Sequence, residues 1–154
     1  IDAGGNLHIA TQDAEDGDLY YIYLTYSSSA DSGYTVAACY KVDSANSVGK
    51  WNDIKLESSS GSSSVYGLKC SPVISYLDAT NIENKKAVKT AFVSSSTDAT
   101  TGVWEHMTAP ATYAANDEKT SLVLSALDSG SVSCKLGIGY QSASFATAFM
   151  RGEK

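Results

Sequence analysis

The run Val73-Ile74-Ser75-Tyr76-Leu77-Asp78 is an apolar, β-favouring segment that stops at an aspartate, and the chain carries it three times. The echoes are His8-Ile9-Ala10-Thr11-Gln12-Asp13 and Val123-Leu124-Ser125-Ala126-Leu127-Asp128. Their aspartates lie 65 and 50 positions apart. A turn-forming cluster and a second β-like run follow each one: Leu19-Tyr20-Tyr21-Ile22-Tyr23-Leu24, Ala87-Val88-Lys89-Thr90-Ala91-Phe92-Val93, and Cys134-Lys135-Leu136-Gly137-Ile138-Gly139-Tyr140. Strand, turn cluster, strand is the pattern of a β-hairpin. Two units add a tryptophan strand, around Trp51 and Trp104, 53 positions apart. Self-similarity at this period points to a repeat architecture and constrains every other reading.

The run from Leu19 to Tyr26 does not alternate apolar with polar. Tyr20, Ile22, Leu24 and Tyr26 would lie on one face, with Leu19, Tyr21, Tyr23 and Thr25 on the other. A strand with one wet face alternates; a strand covered on both sides does not. A β-propeller meets that condition, because each blade sits between two neighbours. A further strand, Tyr34-Thr35-Val36-Ala37-Ala38-Cys39-Tyr40, makes the first unit the longest, which accounts for the wider first interval.

With 154 residues, 43% of them hydrophobic, the chain can bury a real core. Only 18% are charged, a lean towards an extracytoplasmic β-protein surface. The net charge of −6 and the absence of any basic cluster argue against a nucleic-acid partner. No apolar run approaches the roughly 20 residues that span a bilayer. The first residue is Ile1, so a mature, processed or partial chain is expected, and a missing signal peptide says nothing of location. A strand is expected to precede Ile1, since Asp2-Ala3-Gly4-Gly5-Asn6 reads as a turn entered from one. Cys39, Cys70 and Cys134 lack the CxxC spacing of zinc or redox sites. One disulfide with a free thiol, or three buried thiols, both remain open.

Between these units the chain is loop-like. Residues 57–65 are serine and glycine rich and read as a loop between repeats, the sharper alternative being a domain linker. Residues 94–102 form a second polar loop, and Pro110 argues against a central strand at 108–113. Phe145-Ala146-Thr147-Ala148-Phe149-Met150 reads as the last strand, with Arg151-Gly152-Glu153-Lys154 as a frayed end. No segment carries helical periodicity.

The opening Ile1-Asp2-Ala3-Gly4-Gly5-Asn6-Leu7-His8-Ile9-Ala10, with Asp13 and Gly17-Asp18-Leu19-Tyr20-Tyr21, resembles the repeats of bacterial surface β-propellers, including some from spirochaetes. Those repeats read D-x-x-G-N-x-H-I-x-Y-x-D, a short turn, G-x-L-x-Y-A, and a tryptophan strand. Pro72-Val73-Ile74-Ser75-Tyr76-Leu77-Asp78-Ala79-Thr80 matches the same core, while the third unit lacks the turn and the tryptophan. The resemblance implies an all-β chain of about three antiparallel blades of a partial β-propeller, in units 1–60, 61–112 and 113–154, and a place outside the cytoplasm. The S-x-D-x-G-x-T-W box of sialidases is missing. Propellers close with four to eight blades, so three leave apolar faces uncovered. The partners expected are the remaining blades, from the same precursor or another subunit, or copies of the chain itself.

The candidate chemistry is thin. Asp13, Asp78 and Asp128 offer oxygen ligands for calcium or a sugar, but single aspartates on separate units are too dispersed for one ion. Each is read instead as accepting backbone N–H groups of its own turn. His8 and His106 are the two histidines, either one a formal general base. His8 aligns with Val73 and Val123, which favours a packed side chain. Glu105 and Glu118 could pair as acid and base in glycoside hydrolysis, yet no spacing selects them. Tyr20, Tyr21, Tyr23, Tyr26, Trp51 and Trp104 suit a sugar-stacking platform or packing between blades, and the repeat position of the two tryptophans favours packing. Loops 27–33, 57–64 and 94–102 are the better-placed binding candidates.

No catalytic, cofactor or metal site is assigned. The reading leans to a non-enzymatic structural or binding module of a cell-surface assembly, with a glycan or protein ligand. The propeller part of a carbohydrate-active enzyme and a self-assembling filament or sheath subunit are the alternatives.

Overall fold

The computed structural model describes residues 1–2, 4–45, 47–58, 70–82, 85–93, 103–108, 115–125, 135–142 and 147–153, with 57–58, 70–71, 81–82, 85–86, 93 and everything from 115 onward as backbone only. Ten strands run in order: β1 (Leu7–Gln12), β2 (Leu19–Tyr26), β3 (Tyr34–Asp43), β4 (Lys50–Ser58), β5 (Cys70–Ile82), β6 (Lys85–Val93), β7 (Trp104–Thr108), β8 (Ala115–Ser125), β9 (Lys135–Ser142) and β10 (Thr147–Glu153). The protein is all-β, every pairing is antiparallel, and no helix occurs among the described residues.

Three meanders organise these strands. β1-β2-β3 is a separate three-stranded sheet. β4-β5-β6-β7 form a four-stranded sheet, and β8-β9-β10 a third set joined to β6 through the pair Lys86↔Ala115. Among the described residues the strands do not close into a barrel or ring. The expected hairpins are present in matched register. Ile9 faces Ile22 and Thr11 faces Tyr20 in the first, as Ile74 faces Ala91 and Tyr76 faces Lys89 in the second.

The tryptophan strands depart from expectation. β4, which the repeat spacing places at the end of the first unit, hydrogen-bonds to β5, and β7 pairs with β6. Both therefore flank the same hairpin, and β3 holds in the first meander the place that β7 holds in the second. The cause is the connection 44–49, which is tied to both sheets. The Val48 amide donates to the Gly17 carbonyl at 2.8 Å, and the Ala79 amide donates to the Ser47 carbonyl at 2.8 Å. Gln12 Nε2 also donates to the Val48 carbonyl at 2.7 Å. The chain thus crosses to the second sheet before β4 begins. Gly49 permits the crossing with φ +85°; a Cβ there would stand 3.0 Å from Leu19 Cβ.

The core lies between the first and second sheets. Leu19, Tyr21 and Val42 meet Ile74, Tyr76 and Ala91, with Val48 between. The opposite face of the second sheet is buried too: Val73, Ser75, Leu77, Val88, Thr90 and Phe92. β8 lies against β4, β5 and β6 at once, so it crosses that second face. The middle sheet is consequently covered on both sides, which explains why β5 reads as a near-continuous apolar run. β2 is not: Leu19 and Tyr21 are buried, whereas Tyr20, Ile22 and Leu24 are half-buried and Tyr26 is exposed. Double coverage of β2, expected from its composition, is absent because no described residue forms a layer on that side. The last strand also differs, running through Arg151 to Glu153 where fraying was expected.

Candidate functional site

The aspartates that end the apolar runs bond their own backbone two residues on, Asp13 just after β1 and Asp78 inside β5, which runs on to Ile82 past the stop expected at the aspartate and breaks register with β6 there. The Asp13 carboxylate accepts the Glu15 amide at 2.8 Å, and Asp78 accepts the Thr80 amide at 2.9 Å. Asp2 and Asp43 do the same with Gly4 and Ala45, at 2.8 and 3.2 Å. This local bonding is the behaviour expected of a short acid that satisfies its own backbone. Asp128 and the Glu118 side chain lie outside the described residues, as do Cys134 and the side chain of Cys70. Among the described residues no group of His, Cys, Asp and Glu is arranged to hold a metal ion.

Two polar groupings sit at the seam between the first two sheets. The first joins Asp2, His8 and Tyr21. His8 Nε2 is 3.3 Å from Asp2 Oδ2, and Nδ1 is 2.7 Å from the Tyr21 hydroxyl. A carboxylate can only accept, so Nε2 carries the proton and Nδ1 accepts from Tyr21. Burial pulls the His8 imidazole below its usual range, and Asp2 offsets part of that. Burial works against the Asp2 charge, but the Asn6 side chain and amide, His8 and Gly4 bring its pKa down to about 2. An acid, a histidine and a hydroxyl in line have the outline of a catalytic relay. The hydroxyl, however, belongs to a tyrosine with 0% exposure, so no substrate can reach it. His8 is the packed histidine its alignment suggests.

The second grouping was not selected from sequence. Tyr76 donates its hydroxyl to Asp43 Oδ2 at 2.6 Å and stands 3.0 Å from His106 Nδ1. Since the single phenolic hydrogen goes to Asp43, His106 donates from Nδ1. Lys89 Nζ lies 3.3 Å from Asp43 Oδ2 and 2.6 Å from Asp78 Oδ2. Burial opposes the charge on Lys89, yet Asp78 and Asp43 outweigh it and raise the ammonium above the usual lysine range. Burial likewise opposes the Asp43 charge, but Tyr76, Lys89 and the Ala45 amide hold that carboxyl below its usual range. Burial, reinforced by Asp43, pushes the Tyr76 phenol far above the ordinary tyrosine value. The lysine stays charged and the phenol protonated, so neither is a nucleophile or base near neutral pH. The arrangement fastens β3 to β5, β6 and β7. His106 keeps one side towards solvent, with a third of its side chain exposed.

The aromatic residues divide. The Trp104 ring meets Tyr21 edge-on at 5.2 Å and Tyr23 packs against the core, as expected of packing between sheets. Trp51 is 46% exposed, at φ 51° in the irregular start of β4. Loop 27–33 is a tight turn in which the Ser27 amide reaches the Gly33 carbonyl at 2.9 Å; loop 94–102 lies outside the described residues.

The surface that stands out is the outer face of the first sheet. Its register lines up three rows: Leu7–Leu24–Val36, Ile9–Ile22–Cys39 and Thr11–Tyr20–Lys41. Ile9 is 40% exposed and Val36 60%, and Cys39 is an exposed free thiol, against the reading of buried cysteines. The Lys41 ammonium closes one end, 2.5 Å from Asp18 and 5.6 Å from the Tyr20 ring centroid; the Asp18 hydrogen bond raises its pKa. This face is apolar along its first two rows and charged only at the Lys41 end. No family model matches this chain, and neither the curated proteins nor the solved structures contain a match.

Proposed function

We propose that the chain is a segment of a β-propeller that acts outside the cytoplasm as a structural or binding module of a larger cell-surface assembly, without catalysis of its own. One observation carries the reading: consecutive antiparallel meanders, of which the middle is buried on both faces while the first keeps an apolar face open. That is the condition of a blade set with neighbours on either side. The matched hairpin register and the turn-closing aspartates support a repeat, and the resemblance to bacterial surface repeats supports the location. The module's partners are then further blades, together with a glycan or protein ligand held at its loops.

Protease treatment of intact native cells, followed by mass spectrometry, tests the location. Release of peptides from residues 27–41 before lysis is expected; digestion only after lysis refutes it. Electron microscopy of the native full-length protein tests the fold, and a particle without radial symmetry of four to eight blades refutes it.

A further inference from the structure

The molecule contains one worked instance of how its open face is covered. Counted from Asp13 and Asp78, Ile9 corresponds to Ile74 and Thr11 to Tyr76; across the hairpins, Ile22 corresponds to Ala91 and Tyr20 to Lys89. The outer face of the first meander is therefore the counterpart of the second meander's Ile74–Tyr76–Lys89–Ala91 face. That second face is not open: the opposite side of the first meander, with Leu19, Tyr21 and Val42, lies on it. The two sides of a meander are thus unlike and mutually fitting, and the stack has a direction.

We infer that a second copy of this chain covers the outer face of β1-β2-β3, stacked head to tail, its third meander laid on Ile9, Ile22, Leu24 and Val36. The inference rests on the stacked-blade reading above. Three considerations select this occupant. The covering surface must be a meander side of the opposite kind, and β8-β9-β10 is the meander that follows the second one along the chain. Two copies supply six meanders, inside the range over which propellers close. Unlike faces in contact make a heterologous interface, whereas two outer faces brought together would be isologous and would pair like with like. Each copy carries a net charge of −6, so screening by salt should strengthen the association.

Sedimentation analysis of the purified chain across the micromolar range tests this. The expected result is an assembly heavier than one chain, strengthened by salt. Ile9→Lys and Val36→Lys, both at exposed positions, should weaken it at least tenfold while leaving the circular dichroism unchanged. A Cys70→Ser, Cys134→Ser chain retains Cys39 alone as reporter. Head-to-tail stacking keeps two Cys39 thiols apart, so oxidation should give no covalent dimer. A single-chain mass throughout, an assembly indifferent to both lysine substitutions, or efficient Cys39–Cys39 crosslinking would each overturn the inference. Hydrogen exchange on the same samples separates the two levels. Fast exchange of β5 and β6 amides would remove the stacked reading itself. Slow exchange with a single-chain mass would remove only the second copy.

Discussion

Replacing Tyr76 by Phe isolates the fastening between the first two sheets. Tyr76 is fully buried, and its hydroxyl donates to Asp43 at 2.6 Å. A hydrogen bond to a charged acceptor contributes about 1.5–3 kcal/mol. Asp43 keeps Lys89 at 3.3 Å and the Ala45 amide at 3.2 Å, which places the loss in the lower part of that range, about 2 kcal/mol. His106 faces solvent and regains water, adding little. At roughly 2–4 °C per kcal/mol for a chain of this size, Tm should fall by about 4–8 °C. Urea unfolding at several pH values is the assay. The folded Asp43 carboxyl is held below its unfolded value, so its contribution is complete above about pH 4 and is lost as pH falls through the folded value. The gap between wild type and Tyr76→Phe should therefore stay level from neutral pH down to about 5 and close below about 4. Adding Asp43→Asn should recover a coupling of about 1–2 kcal/mol in a double-mutant cycle. A gap under about 0.5 kcal/mol, or one that persists unchanged in acid, would show that the hydroxyl is not working through a charged partner.

Thr90 is fully buried, and its Oγ1 has no hydrogen-bond partner among the described residues, so Thr90→Val should raise stability by about 1 kcal/mol; a lower urea midpoint would count against it. Gly49→Ala should cost about 3 kcal/mol, because a left-handed φ and a Cβ 3.0 Å from Leu19 act together. Gly5→Ala, at φ +82° with nothing within 4 Å, should cost about 1 kcal/mol, and equal losses would refute the packing argument. Asp2, with a folded pKa of about 2, contributes stability above its unfolded value that fades as pH falls towards 2, and His8, kept neutral by burial, adds acid lability below its own unfolded value. An NMR titration that placed the Asp2 midpoint near an ordinary 3.9 would contradict the hydrogen-bond geometry.

The parts of this fold that sequence displays are those set by local chemistry. An aspartate closing a β run announces its turn, and Asp13 and Asp78 behave alike because each needs only the amide two residues on. The hairpins follow, since their register depends on neighbouring residues. The place of β4 is not local. Trp51 and Trp104 share a spacing, but whether a strand joins the sheet before it or after it depends on where the 44–49 connection is anchored. Asp43, Tyr76 and Lys89 were missed as a group for the same reason: they come from three strands, and no spacing links them. A turn-type acid at the end of β3, bonding the Ala45 amide as Asp13 bonds the Glu15 amide after β1, was the one signal available. The apolar outer side of β2 was visible, and composition announces a need for cover without saying whether this chain meets it.

The self-closing turns have a consequence for how such a chain can vary. An acid that satisfies the backbone two residues ahead leaves the hairpin indifferent to what lies further along the connection. Segments of different length can then join equivalent strands without disturbing cross-strand pairing: Gln12 pairs with Leu19 across the six residues 13–18, and the equivalent Leu77 with Val88 across the ten residues 78–87. Diversity in a chain built this way should gather in its connections, where insertions meet little resistance, while the acids that end the strands stay put.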